Sequence, residues 1–199
     1  MEDELFKFRK NAIQGALTEP LCADYRHEWQ RIGSDKERLV GFALRQQSIP
    51  FFAHYCYNGK GVSKDYIKSA FNKYINGYTV YDADGVDGYT YGLYVDYDYD
   101  NELVIDKDIT HIMWTCGAEI VIPQTKCPVI YVSNKSSVDI SCEGYNSVKI
   151  YLFDESIVNV EDVDVNSDVV IYKYGDKCRV TYGGLCFGKT NEFNKDMRL

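Results

Sequence analysis

Only 4 of the 199 residues are proline, and no apolar run approaches the roughly 20 residues that a membrane-spanning helix requires. The opening residues, Met1-Glu2-Asp3-Glu4, lack the basic-then-apolar order of a secretion signal, so a cytoplasmic product with no membrane association is expected. No C-x-x-C pair occurs. The seven cysteines, Cys22, Cys56, Cys116, Cys127, Cys142, Cys178 and Cys186, form an odd, irregularly spaced set. That argues against a disulfide framework or a zinc ribbon and predicts mostly reduced, buried thiols. Gly59-x-Gly61 is too short to cradle a phosphate, and no lysine stands where a Walker motif needs one. No cofactor is implied.

Apolar residues make up 45% of the chain and charged residues 26%, so a folded globular protein is expected rather than a disordered or low-complexity one. The 18 tyrosines favour half-buried pleated surfaces and hence a β-rich body. The net charge of -8 is unevenly placed. Residues 1–77 carry 12 Lys/Arg against 9 Asp/Glu, a net of +3, whereas residues 78–199 carry 10 against 21, a net of -11. An acidic surface repels phosphate, which argues against nucleic acid or an anionic membrane as a partner of the C-terminal half.

Helical punctuation dominates residues 1–77. Leu5, Phe8, Ala12, Ala16 and Leu17 form one apolar stripe at three- and four-residue steps, predicting a helix from Glu2 to about Leu17. Pro20 suits the start of a second, running to about Ile32 with Trp29 on its apolar side. Ser34-Asp35-Lys36-Glu37 is a capping box ahead of a third through Leu39, Phe42 and Ala43, and Ile49-Pro50 ends or bends it. Ser63 with Asp65 starts a fourth, closed by Gly77 after Asn76.

From Tyr78 the period changes. Tyr89 to Asp100 alternates aromatic or apolar with polar residues, which predicts a strand with one wet face; a turn at Asp100-Asn101 would return Leu103-Val104-Ile105 as its hairpin partner. An apolar-x-apolar triplet then recurs at about ten-residue steps, as Ile120-x-Ile122, Ile130-x-Val132, Val138-x-Ile140, Val148-x-Ile150, Val158-x-Val160, Val169-x-Ile171 and Cys178-x-Val180. The middle residues, such as Asp139, Lys149 and Asn159, are mostly polar, as expected if the outer two face a core and the middle one faces solvent. No Asn-Gly or Asp-Gly pair, the usual hairpin signal, occurs between residues 120 and 171. Polar corners instead of hairpin turns favour a parallel β-solenoid of about twenty residues per coil over an antiparallel meander, with roughly three coils. Its ends need covers, for which the helical half and the tail from Phe187 to Leu199 are available.

Candidate sites are sparse. Asp96-x-Asp98-x-Asp100 and Asp162-x-Asp164-x-Asn166 supply the first ligand positions of a calcium loop, but Lys107 and Lys173 stand where the twelfth-position glutamate belongs. Solvated acidic faces and corners explain them better. Cys22, His27, His54 and Cys56 could make a four-ligand zinc site only with a cramped His54-x-Cys56 step, so no metal is assigned. His54 and Cys56 could also form an imidazole-activated thiol, although no third residue can be singled out to orient them, and His111 with Cys116 offers no more. The Tyr94 to Asp100 stretch could stack on a sugar or form an ordinary sheet or partner surface.

The segments Phe42-Ala-Leu-Arg-Gln-Gln-Ser-Ile-Pro-Phe-Phe-Ala-His-Tyr-Cys-Tyr, Asp82-Ala-Asp-Gly-Val-Asp-Gly-Tyr-Thr-Tyr-Gly-Leu-Tyr-Val and Ile150-Tyr-Leu-Phe-Asp-Glu-Ser resemble an uncharacterised protein family of gut Bacteroidales and their phages or prophages. The resemblance implies a mobile-element product, a virion component or an effector in the host cytoplasm, and transfers no catalytic residue.

The fold expected is α+β: a helical module over residues 1–77, then over 78–199 a β-hairpin and a short parallel β-solenoid. The function expected is a non-catalytic structural or protein-interaction module that docks a protein partner through its helical half, with a homo-oligomer left open. One alternative is an enzyme or small-ligand-binding, sponge-like protein with a pocket between the halves lined by His54, Cys56, Tyr89 and Tyr91. A second is a carbohydrate-binding module.

Overall fold

In the computed structural model the residues described are 4, 10, 27–28, 30–32, 35, 38, 41–42, 45, 56–59, 61–75, 80–81, 89–97, 102–114, 117–185 and 188–195. They fold almost entirely as parallel β-structure. One sheet, sheet A, contains β1 (Val80–Tyr81), β2 (Thr90–Val95), β4 (Ile109–Met113), β6 (Val129–Val132), β8 (Ser147–Phe153), β10 (Asp168–Tyr174) and β12 (Lys189–Lys195) in that spatial order. The other, sheet B, contains β3 (Glu102–Val104), β5 (Gly117–Ile122), β7 (Ser137–Cys142), β9 (Ile157–Val163) and β11 (Arg179–Tyr182). Sequence order alternates between the sheets, so each turn of chain lays one strand in each and then climbs one rung. The result is a two-sided β-solenoid of about five turns.

The register sets the period. Ile109 lies beside Val129, Val129 beside Lys149 and Val170 beside Asn191, steps of 20, 20 and 21 residues. The ten-residue triplet repeat is therefore half a turn, and successive triplets fall alternately on the two sheets. Their outer residues point into the bore as ladders: Thr110–Ile130–Ile150–Ile171 in sheet A and Leu103–Ile120–Ile140–Val160 in sheet B. The apolar members form one cluster whose central rungs are fully buried. Each such Val or Ile contributes roughly 1.5–3 kcal/mol relative to exposure, so the bore is the main source of stability.

Three expectations need correction. The hairpin does not exist: β2 pairs in parallel with β4, while β3 lies in the opposite sheet beside β5. Nor does β2 have a wet face. Gly92 and Tyr94 point into the bore, and Tyr91, Leu93 and Val95 belong to a second apolar cluster outside sheet A. Five turns replace the expected three because irregular first and last coils continue the repeat beyond the clear triplets.

The fold is likewise not a helical module joined to a solenoid. Among the described residues only one helix is seen whole, α1 (Lys64–Ala70), followed by a 3-10 turn at Asn72–Tyr74. Ser63 caps α1 as expected, its Oγ accepting from the Tyr66 N–H at 3.1 Å. The helix stops at Ala70, however, well short of Gly77, because the chain must straighten for Ile75 to bridge to Leu93 of β2. The three predicted helices before it lie mostly outside the described residues. Ile32, Phe42, Cys56, Val62, Ile67 and Phe71 share one apolar cluster with Tyr91, Leu93, Ile109, Met113, Tyr131 and Phe153, so these N-terminal residues cover the outer face of sheet A over its first coils. Lys64 and Lys68 anchor α1 to the Asp96 carboxylate at 3.4 and 3.2 Å.

The corner from sheet A to sheet B is a ladder of its own. Asp96, Trp114, Asn134, Asp154 and Gly175 occupy equivalent positions in five coils, all with positive φ. That region is costly for most side chains, and Asn, Asp and Gly tolerate it best. The side chain of one coil satisfies the backbone of the coil before it. Asn134 Oδ1 accepts from the Trp114 N–H at 3.0 Å, and Asp154 Oδ2 accepts from the Asn134 N–H at 3.1 Å and its Nδ2 at 3.2 Å. On the opposite corner Asn146 Oδ1 accepts from the Lys126 N–H, and its Nδ2 donates to the Glu143 carbonyl.

Candidate functional site

Outward-facing residues of sheet A stack with the same register as the bore. Tyr131, Tyr151, Tyr172 and Phe193 follow one another at centroid distances of 4.8, 4.9 and 5.6 Å, with interplanar angles of 16°, 26° and 25°. Beside them Phe153 and Tyr174 stack at 4.8 Å, and Lys195 Nζ sits 5.5 Å from the Tyr172 ring centre. Near-parallel stacking follows from the ladder, because strands about 4.8 Å apart hold identical side chains at ring-stacking distance. Exposure rises along the row. His111 and Tyr131 are buried, Tyr151 and Tyr172 are half-buried, and Phe193 is 47% exposed. The row emerges from under the N-terminal cover and continues as surface.

At the edge of this surface, on the corner between β10 and β11, Glu155, Ile157, Asp176, Lys177 and Arg179 line an open depression of about 480 Å³. Glu155 is its hub, accepting from Lys177 Nζ at 2.6 Å and from the Tyr57 hydroxyl at 2.7 Å, with Lys135 at 3.9 Å. The Lys177 hydrogen bond first, and then that of Tyr57, hold the Glu155 carboxyl down at about 2. In return, the hydrogen bond to this carboxylate pushes the Tyr57 phenol up to about 12. A carboxylate so committed stays ionised across the physiological range and does not serve as a proton donor. The hub ties the N-terminal cover to the fourth and fifth coils.

No family model matches the chain, and neither does any curated protein or solved structure.

The residues singled out in the sequence are spread over different environments. His54 lies outside the described residues. Cys56 and Tyr91 are buried in the same apolar cluster, and burial pushes the Cys56 thiol up to about 12. Tyr89, just before β2, is half exposed. Tyr94 is inside the bore, edge-on to Tyr97 at 5.4 Å, where burial raises its phenol to about 12. Of the zinc set, Cys22 and His54 fall outside the described residues and His27 is exposed; no group of three metal-ligating side chains occurs among the described residues. Two of the calcium-like acids hold backbone instead: Asp162 Oδ1 accepts from the Leu185 N–H, and Asp164 Oδ1 from the Asn166 N–H and Nδ2. No helix among the described residues is long and apolar enough to cross a membrane.

The structure adds one pairing that sequence reasoning missed. His111 Nε2 lies 2.9 Å from Ser133 Oγ, an arrangement that on a surface would suggest a base beside a nucleophile. Both residues are fully buried, and burial drives the imidazole down to about 3. It stays neutral and functions as a core hydrogen-bonding group. The aromatic row was also missed, although its signal was available: Tyr131, Tyr151, Tyr172 and Phe193 are spaced by 20, 21 and 21 residues, the coil period.

Proposed function

We propose that the chain is a non-catalytic protein-interaction module, and that it engages its partner through the outer face of sheet A in the last coils. The observation that carries this reading is the aromatic row rising out of the N-terminal cover into solvent at Tyr172 and Phe193. Aromatic residues are enriched in protein interfaces relative to the rest of the surface, and here Phe193 is 47% exposed at the end of the row. Rings stacked on one another present their edges outward, whereas a sugar needs an open ring face, so the geometry favours a protein over a carbohydrate. The acidic balance of residues 78–199 disfavours nucleic acid. Buried thiols at Cys56 and Cys178 and the buried imidazole of His111 support a non-catalytic role, since burial makes each less able to ionise. The resemblance to proteins of gut Bacteroidales and their phages supports a partner in an infected or prophage-bearing cell.

The test is a photo-crosslinking residue placed at Tyr172 or Phe193, with Asp139 on the outer face of sheet B as the comparison site. In cells that naturally produce the protein, a discrete adduct is expected from the first two positions and not from the third. Adducts of equal yield from both faces, or none from sheet A, overturn the proposal.

A further inference from the structure

The bore changes character at its C-terminal end. Three inward ladders of sheet A run Val148–Val169–Thr190, Ile150–Ile171–Glu192 and Leu152–Lys173–Asn194; the first two are aliphatic until β12, and the third is already charged at Lys173 of β10. Two of the new polar groups, Lys173 and Glu192, pair with each other. Lys173 Nζ lies 2.8 Å from Glu192 Oε2, and the Tyr182 hydroxyl, which occupies the inward position of sheet B next to Val160, donates to Glu192 Oε1 at 2.6 Å. Tyr182 and Glu192 therefore bridge the two sheets across the mouth of the bore, with the side chains of Lys173 and Glu192 21% and 30% exposed and Tyr182 47% exposed. Beyond this layer β12 pairs on one side only among the described residues, and its outward positions include Lys189 and Lys195.

The opposite end is covered by chain as well as by an ion pair, Lys107 Nζ to Asp106 Oδ2 at 2.7 Å. β1 pairs antiparallel with β2, Ile75 bridges to Leu93, and the Lys107 stem packs where a Cβ on Gly92 would come within 3.1 Å of it.

We infer that the Lys173–Glu192–Tyr182 layer is a stop that prevents a second copy from stacking on the C-terminal coil. A parallel ladder with an aliphatic last rung and a free strand edge is a template for another coil, and proteins blunt such edges with inward-pointing charges and lysines. Stacking a second copy here would strip water from the Lys173–Glu192 pair and from β12 lysines with no new partner to replace it, a cost that outweighs the backbone pairing gained. This inference concerns the end of the solenoid and is independent of the proposed partner face.

The test uses the full chain with Lys173→Leu and Glu192→Ile together, which continue the Leu152 and Ile171 ladders outward. Wild type is expected to sediment as a monomer at every concentration, whereas the double variant, with an unchanged far-UV circular dichroism spectrum, forms species whose mass at least doubles and grows with concentration. Thr190→Val, which extends a ladder but leaves the layer intact, is expected to stay monomeric. If the pair does not fold, Lys173→Met keeps the long stem and removes the charge, and is expected to associate more than wild type. A folded variant that remains monomeric, or wild type that itself assembles through β12, overturns the inference.

Discussion

The first and last coils carry the same outward row on sheet A yet use it in opposite ways. In the early coils Tyr131 packs in one apolar cluster with Ile67 and Phe71, His111 beside it in the register is fully buried, and the row is the floor of a second core. In the last coils Tyr172 and Phe193 continue the stack with nearly unchanged spacing, but solvent replaces the cover. A β-solenoid repeats its bore because every coil must fill the same space. Its outer faces obey no such constraint, so one row can be core at one end and surface at the other. The difference is made by the N-terminal segment, not by the repeat.

This contrast should be visible in stability. Tyr131→Ala removes a fully buried ring between two layers and is expected to cost about 3 kcal/mol or more in urea unfolding, whereas Phe193→Ala should cost less than about 1 kcal/mol. Equal losses would mean that the cover contributes little and that stacking along the row dominates.

The covered half also has a pH signature. His111 ordinarily titrates near 6.5 and is held at about 3 by burial. Between those values the unfolded chain takes up a proton that the folded chain does not, so its contribution is fully present above pH 6.5 and is lost as pH falls toward 3. At pH 4.5 the loss should be roughly 2–3 kcal/mol. His111→Gln should flatten this part of the stability profile, measured by thermal unfolding from pH 7 to pH 4. A wild-type profile as flat as that of the variant would show that the imidazole is reached by water.

What the sequence revealed follows the same division. The bore was legible because it needs branched aliphatic residues at fixed inward positions, as in Val138-x-Ile140 and Val158-x-Val160, and because the corners between the triplets lack hairpin turn pairs. The first coil was misread as a hairpin because Tyr89 to Asp100 alternates as a two-faced strand does, and alternation does not reveal that both faces are buried. Tyr131 was expected in solvent, as the middle residue of its triplet, because no local pattern announces that a segment some sixty residues earlier will cover it. The corner ladder of Asp96, Asn134 and Asp154 lay within reach, since positive-φ corners favour Asx residues and these recur near the coil period. The candidate surface required the register itself, which places Tyr151, Tyr172 and Phe193 in one row.

The smallest predicted effect lies where the two halves meet. Glu155 receives Tyr57 from the N-terminal cover and Lys177 from the fifth coil, and these bonds hold its carboxyl at about 2 against an ordinary 4.5. A depressed carboxyl stabilises the fold above its unfolded value and loses that contribution as pH falls from 4.5 toward 2. Glu155→Gln should therefore be slightly less stable than wild type at pH 7 and indistinguishable from it near pH 2. The group is at the surface, so salt should shrink the difference at neutral pH. If the hub fastens the cover, adding Tyr57→Phe to Glu155→Ala, which removes the acceptor altogether, should cost nothing beyond Glu155→Ala alone; additive losses in that double-mutant cycle would mean that Glu155 acts through Lys177 only and that the cover is held by its apolar contacts.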